Sequence, residues 1–172
     1  MNNPRLLVAG VGNIFLGDDA FGVEVVQVLA RQAHPEGVMV RDFGIRGFDL
    51  ACALVGDYDG VILVDATQRG QPPGTLYVIE PAIPAPEEVP AAALEMNFHT
   101  LHPERVLQLA RMLGQPCPWV RIVGCEPAVL GSEEEPEQEL SEPVQRAIPE
   151  AVRLVESLLE DFRTSWGRSP PR

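Results

Sequence analysis

The chain has 172 residues, enough for one domain that buries about 70% of the surface its unfolded form exposes, with no need of a stapling disulfide. A net charge of −12 excludes the basic footprint that nucleic acid and anionic membranes require, and because all 13 basic residues are arginine a lysine Schiff base, a Walker-type phosphate loop and a Ser-Lys dyad are excluded too. With 45% hydrophobic residues, no apolar run near ~20 residues and no signal-peptide pattern at its start, the chain reads as a cytoplasmic globular protein without a membrane partner.

Arg5–Val11, apolar from Leu6 onward, predicts a strand of the kind a parallel sheet buries on both faces. Asp19–Gln32 follows as a helix, with Phe21, Val25, Val26 and Leu29 on one stripe and Asp18 or Asp19 placed to cap it. Val38–Phe43 reads as a second strand, and "GIRGFDLACALVG" as a glycine-marked loop leading into a short helix. Val61–Asp65 is a third strand, apolar until its carboxyl end, and Thr75–Glu80 a fourth after the turn-rich "TQRGQPPG". The proline-rich 81–90 segment is a surface excursion, and His102–Leu113 a helix with Pro103 in its first turn. Trp119–Gly124 is a fifth strand, "EPAVLGSEEEPEQELSEP" an acidic, solvated loop, and Val144–Phe162 an amphipathic helix kinked or restarted at Pro149. Cys52, Cys117 and Cys125 are odd in number and form no C-x-x-C pair, so buried, reduced thiols are expected. Strands alternating with helices predict an α/β fold: a three-layer sandwich with a mostly parallel five-stranded sheet and helices on both faces. It forms one domain over residues 1–163, followed by a flexible tail, 164–172.

In such a sheet, sites gather at the carboxyl ends of the strands. A dinucleotide loop is disfavoured there, because Gly10-Val11-Gly12-Asn13-Ile14-Phe15 has phenylalanine where the fingerprint needs its third glycine, and two acids stand where a pyrophosphate would approach. Two adjacent caps would be redundant, which frees one of Asp18 and Asp19 for another task. Asp65 is a carboxylate at the end of an otherwise apolar strand, costly unless paired, hydrogen-bonded or on a metal. His34, ending the first helix, reads as a residue complementing the helix dipole. Asp19, Asp65 and one of His99 and His102 would make an O,O,N set on separate strand-end loops, suited to a borderline divalent ion such as zinc or nickel. Taken singly, each of these residues is as well explained by capping, by a helix start or by a paired charge.

The succession "GVGNIFLGDDAFG", "DFGIRGFDLA", "VILVDA", a histidine before "VLQLARMLG", "VGCEPA" and "LSEPV" resembles the [NiFe]-hydrogenase maturation endopeptidases, from about Leu6 to Phe162. The resemblance implies a protease that removes a C-terminal extension from the hydrogenase large-subunit precursor after nickel insertion. It implies metal ligation by Asp19, Asp65 and His99, the second acid of "DD", the aspartate of "VDA" and the first histidine of "HTLH"; these three would be catalytic through the metal, with His102 as a second choice. It also implies substrate recognition by the "DFGIRG" loop, with Asp42, Gly44 and Gly47 as candidates, although glycines at a strand end also serve plain turns. The metal is nickel presented by the substrate, sensed by the three side chains, or a resident ion such as zinc that activates water. Neither version identifies a general base; Asp18 and Glu126 are considered as helpers and read first as capping and surface residues. No G-x-S-x-G elbow is present, and Cys52 is expected on an apolar helix face, which disfavours serine or cysteine proteolysis. The competing expectation is a nickel-binding escort that inspects the same subunit without cutting it. A monomer is expected, because a large protein substrate must reach the strand edge.

Overall fold

Alternation within the strands decides the architecture. In β1 (Leu6–Val11) Leu6 and Val8 pack to one side of the sheet, and Leu7, Ala9 and Val11 to the other. β3 (Gly60–Ala66) repeats the pattern, with Ile62 and Val64 opposite Val61 and Leu63. This is the period of two of a pleated strand covered on both faces. The computed structural model describes residues 3–88, 102–132, 134–137 and 139–166. In it β2 (Val38–Gly44), β4 (Leu76–Ile79) and β5 (Val120–Cys125) complete one sheet in the order β2-β1-β3-β5-β4.

The pairs β1·β2, β1·β3 and β3·β5 are parallel, and β4 runs antiparallel along β5. The loop 67–75 between β3 and β4 is too short for the crossover a parallel return needs, so β4 comes back in the opposite direction. α1 (Phe21–Leu29) and α4 (Glu142–Ser165) cover one face; α2 (Gly47–Leu54) and α3 (Pro103–Leu113) cover the other. The expected three-layer α/β sandwich is therefore the observed one. Among the described residues, no helix is long and apolar enough to cross a membrane.

Several local expectations are corrected. α4 runs unbroken through Pro149, so that residue marks no restart, and the helix continues to Ser165 with Trp166 stacked 5.4 Å from Phe162. Cys117 and Cys125 are buried, but Cys52 is exposed: α2 turns Gly47, Leu50, Ala51 and Leu54 inward and leaves position 52 outside. Among its described residues, 81–88, the proline-rich segment holds one short 3-10 turn, Pro86–Glu88.

The chain leaves β1 toward β2 on one side and returns to β3 on the other. That reversal opens a crevice at the carboxyl ends of β1 and β3, the topological switch point where open α/β sheets bind ligands.

Candidate active site at the switch point

Two close backbone approaches shape the crevice. Gly12 has φ 140°, and a Cβ there would lie 1.8 Å from the Asp19 carbonyl oxygen. A Cβ on Gly22 would lie 2.0 Å from the Val64 carbonyl oxygen, so the first turn of α1 rests directly on the end of β3. Only glycine fits either place, and the packing delivers the residues before α1 to the end of the third strand.

Between these glycines stand the two adjacent acids, and neither caps the helix. The 3-10 turn Asp18–Ala20 has Gly17 at its N-cap and α1 has Ala20, without a side-chain cap hydrogen bond at either. Asp18 is fully buried and accepts four hydrogen bonds: from the N–H groups of Ala128 (2.7 Å), Val129 (2.8 Å) and Ser141 (2.7 Å), and from the Ser141 hydroxyl (2.8 Å). It ties the first loop to the β5–α4 connection and to the N-cap of α4. The acidic loop is therefore not merely a solvated face, since Gly17 N–H also donates to Glu137 O at 2.6 Å and Glu137 N–H to Phe15 O at 3.0 Å. Asp19 accepts from the Asn13 N–H at 2.7 Å through Oδ2.

Asp65 is buried at the end of β3, on the strand face shared with Val61 and Leu63. Burial pushes its carboxyl well above the usual range, and the neighbouring Asp19 charge pushes the same way. Burial also raises Asp19, against the Asn13 hydrogen bond and the nearby His102, which lower it. Both carboxyls disfavour ionisation for want of water, and Asp65 also because of the Asp19 charge, so the pair forms a site that a cation would relieve. Both line one cavity of about 890 Å³, together with Leu16, Arg69, His102 and Leu130. That volume accommodates an extended peptide segment of several side chains.

The other expected residues fall variously. His99 lies outside the described residues. His102, at the N-cap of α3, lines the cavity, yet among the described residues no three His, Cys, Asp or Glu side chains form a group able to hold a metal ion. Asp42, Gly44 and Gly47 do not line the cavity; they sit at the neighbouring strand end, where Gly12 N–H donates to Gly44 O at 3.0 Å and the Arg46 guanidinium donates to the Asp42 and Phe43 carbonyls. Glu126 is buried, against the expectation of a surface role. It accepts from the N–H groups of Arg69 (2.8 Å) and Gly70 (3.0 Å) and from the Tyr77 hydroxyl (2.5 Å), and these bonds hold its carboxyl below the usual range. It pins the β3–β4 loop, and so places Thr67 and Arg69 on the cavity wall. Sequence reading missed that wall, because "TQRGQPPG" carries turn residues and no catalytic pattern. Burial holds the Cys117 thiol at about 11 and Cys125 at about 12, so neither supplies a thiolate nucleophile near neutrality.

Residues 23–158 match the family model described as hydrogenase maturation protease, HycI. The hydrogenase expression/formation protein HupD of Rhizobium leguminosarum bv. viciae is 32% identical over 167 residues, covering 95% of this chain and 76% of that one. Among solved structures, the hydrogenase maturating endopeptidase HybD from E. coli superposes with a TM-score of 0.69 at 31% identity, covering 91% of this chain and 93% of that chain. The hydrogenase 2 maturation peptidase from Thaumarchaeota archaeon SCGC_AB-539-E09 gives 0.66 at 36%, covering 91% and 98%. The fold, its switch-point cavity and these similarities converge on one assignment: the chain belongs to the hydrogenase maturation protease family.

Proposed function

We propose that this protease removes the C-terminal extension of a [NiFe]-hydrogenase large-subunit precursor once nickel is in place, and that Asp19, Asp65 and His99 engage the nickel the substrate presents. The observation that carries the reading is the contrast within "DD": Asp18 spends its carboxylate on four hydrogen bonds, while Asp19 and Asp65 face one cavity, burial raises the proton affinity of both, and the Asp19 charge raises that of Asp65 further. A divalent ion between them offsets both burial and repulsion, and two carboxylates with an imidazole suit nickel or zinc. Held by Asp19, Asp65 and His99, such an ion would supply Lewis-acid polarisation of the scissile carbonyl and a water of lowered pKa. The protein's part is to hold the carboxylates: Asn13 N–H orients Asp19, and the Gly22 contact on Val64 sets its distance from β3. Asp42, Gly44 and Gly47 are assigned to substrate recognition at the adjacent strand end.

The test is incubation with nickel-loaded and nickel-free precursor from the same organism, read by intact mass. Release of one C-terminal peptide from the loaded form alone is the expected result. Release from both forms removes nickel sensing and favours a resident ion; release from neither, with each large subunit of that organism tried, rejects the assigned substrate.

A further inference from the structure

Large apolar side chains exposed to water gather on the edge of the sheet that carries the cavity. Ile14 and Phe15 follow β1, Ile45 and Phe48 follow β2, and Val129 and Leu130 follow β5; each is 44–56% exposed. Three strand-end segments carry them, the second running into the first turn of α2 at Phe48, and backbone hydrogen bonds stitch these segments together: Gly12 N–H to Gly44 O at 3.0 Å, Asp18 N–H to Val129 O at 2.9 Å, Gly131 N–H to Leu16 O at 3.2 Å. Gly17 and Leu130 form a further antiparallel bridge. The apolar edge is continuous with the cavity, because Leu130 belongs to both and Leu16 lines the cavity next to Phe15.

Two of these segments are also braced at the backbone by side chains. The Asn13 side chain fixes the Phe15 N–H at 2.9 Å, and the Asp18 carboxylate clamps the Val129 N–H at 2.8 Å. Apolar groups scattered singly over a surface need no explanation, but a clustered, braced patch marks a binding surface. Pre-ordering reduces the entropy lost on association.

We infer that this apolar rim docks the folded body of the same large-subunit precursor whose C-terminal segment enters the cavity, with Phe15 and Phe48 as its anchors. The occupant follows from continuity: a chain threaded into the cavity emerges across the rim, so the domain it belongs to covers the rim. Aromatic residues at the centre of an interface carry a disproportionate share of affinity. The inference rests on the proposed substrate, but the two are separable.

Phe15→Ser, Phe48→Ser and the control Val28→Ser, an exposed position on α1 away from the rim, are compared with wild type. Affinity for immobilised nickel-loaded precursor, cleavage kinetics and nickel affinity are measured, with sedimentation of each protein alone. The rim variants are expected to weaken precursor binding and raise KM by at least about tenfold, with kcat and nickel affinity held and Val28→Ser silent. Unchanged precursor affinity in both rim variants overturns the docking surface even if cleavage by wild type establishes the substrate. A wild-type dimer that Phe15→Ser dissolves also overturns it, by making the rim a self-association face. Precursor bound through the rim but never cut leaves the docking surface standing and rejects the protease reading for that substrate.

Discussion

Two pairs of acids, Asp19 half-buried and the other three buried, share the carboxyl edge of this sheet and do opposite work. Asp18 and Glu126 are saturated with hydrogen bonds from groups distant in the chain, and they tie loops to the scaffold. Asp19 and Asp65 have lost water without gaining comparable partners, and their carboxyls hold protons more tightly than free ones. Burial alone therefore does not mark a functional acid. What separates the pairs is whether the protein itself supplies the compensation: donors around one pair make a brace, and their scarcity around the other is what the proposed cation would offset.

The largest effect that sharpens this contrast is on cleavage. Asp19→Ala and Asp65→Ala are expected to lower kcat/KM on nickel-loaded precursor by at least about 100-fold, with far-UV circular dichroism unchanged; cleavage within a few-fold of wild type would remove the pair from the site. His99→Ala is expected to lose cleavage to a similar extent while His102→Ala stays within about threefold, since a direct ligand contributes several kcal/mol and a bystander little. Reversal of that order would make His102 the third ligand.

On the brace side the loss is one of stability. Asp18→Ala leaves three N–H groups and a hydroxyl without their acceptor, and burial of such donors costs about 1–3 kcal/mol each. Urea unfolding is expected to show a loss of about 3 kcal/mol or more, and a midpoint matching wild type would break the contrast outright.

Asp65→Asn moves the other way. The folded-state carboxyl titrates above its unfolded value of 3.8, so the unfolded chain releases the proton first and stability falls as pH rises past that value. The asparagine variant escapes this, and its unfolding temperature is expected to exceed that of metal-free wild type near neutrality, with the gap closing toward acid. Glu126 has the opposite sign and the smallest effect: its carboxyl lies below the usual 4.5, so its stabilisation is present above that value and is lost as pH falls through the folded pKa. Glu126→Gln is accordingly expected to be less stable than wild type at neutral pH and to converge with it in acid; parallel curves across the range would show that the charge contributes nothing.

Much of the architecture was legible from local pattern. Apolar runs bounded by glycine and proline located all five strands, and the run ending in Asp65 placed a carboxylate at a strand end. The motif beginning at Gly10 signalled a strand-to-helix turn. The antiparallel course of β4 was less accessible, since orientation depends on the length of a connection and on which edge is free. Cys52 misled because α2 is short and apolar almost all round, so composition did not say which side faced the sheet.

What the sequence determined by itself is the fold class and the residue types at the strand ends, because the period of side-chain burial is a property of neighbouring residues. Only the tertiary structure decided that Asp18 is a brace, that Glu126 is buried, and that the segments after β1, β2 and β5 meet at one edge. The donors to Asp18 stand 110 to 123 residues away, and those to Glu126 49 to 57. Whether a buried carboxylate is satisfied depends on groups that only the folded backbone brings within 3 Å.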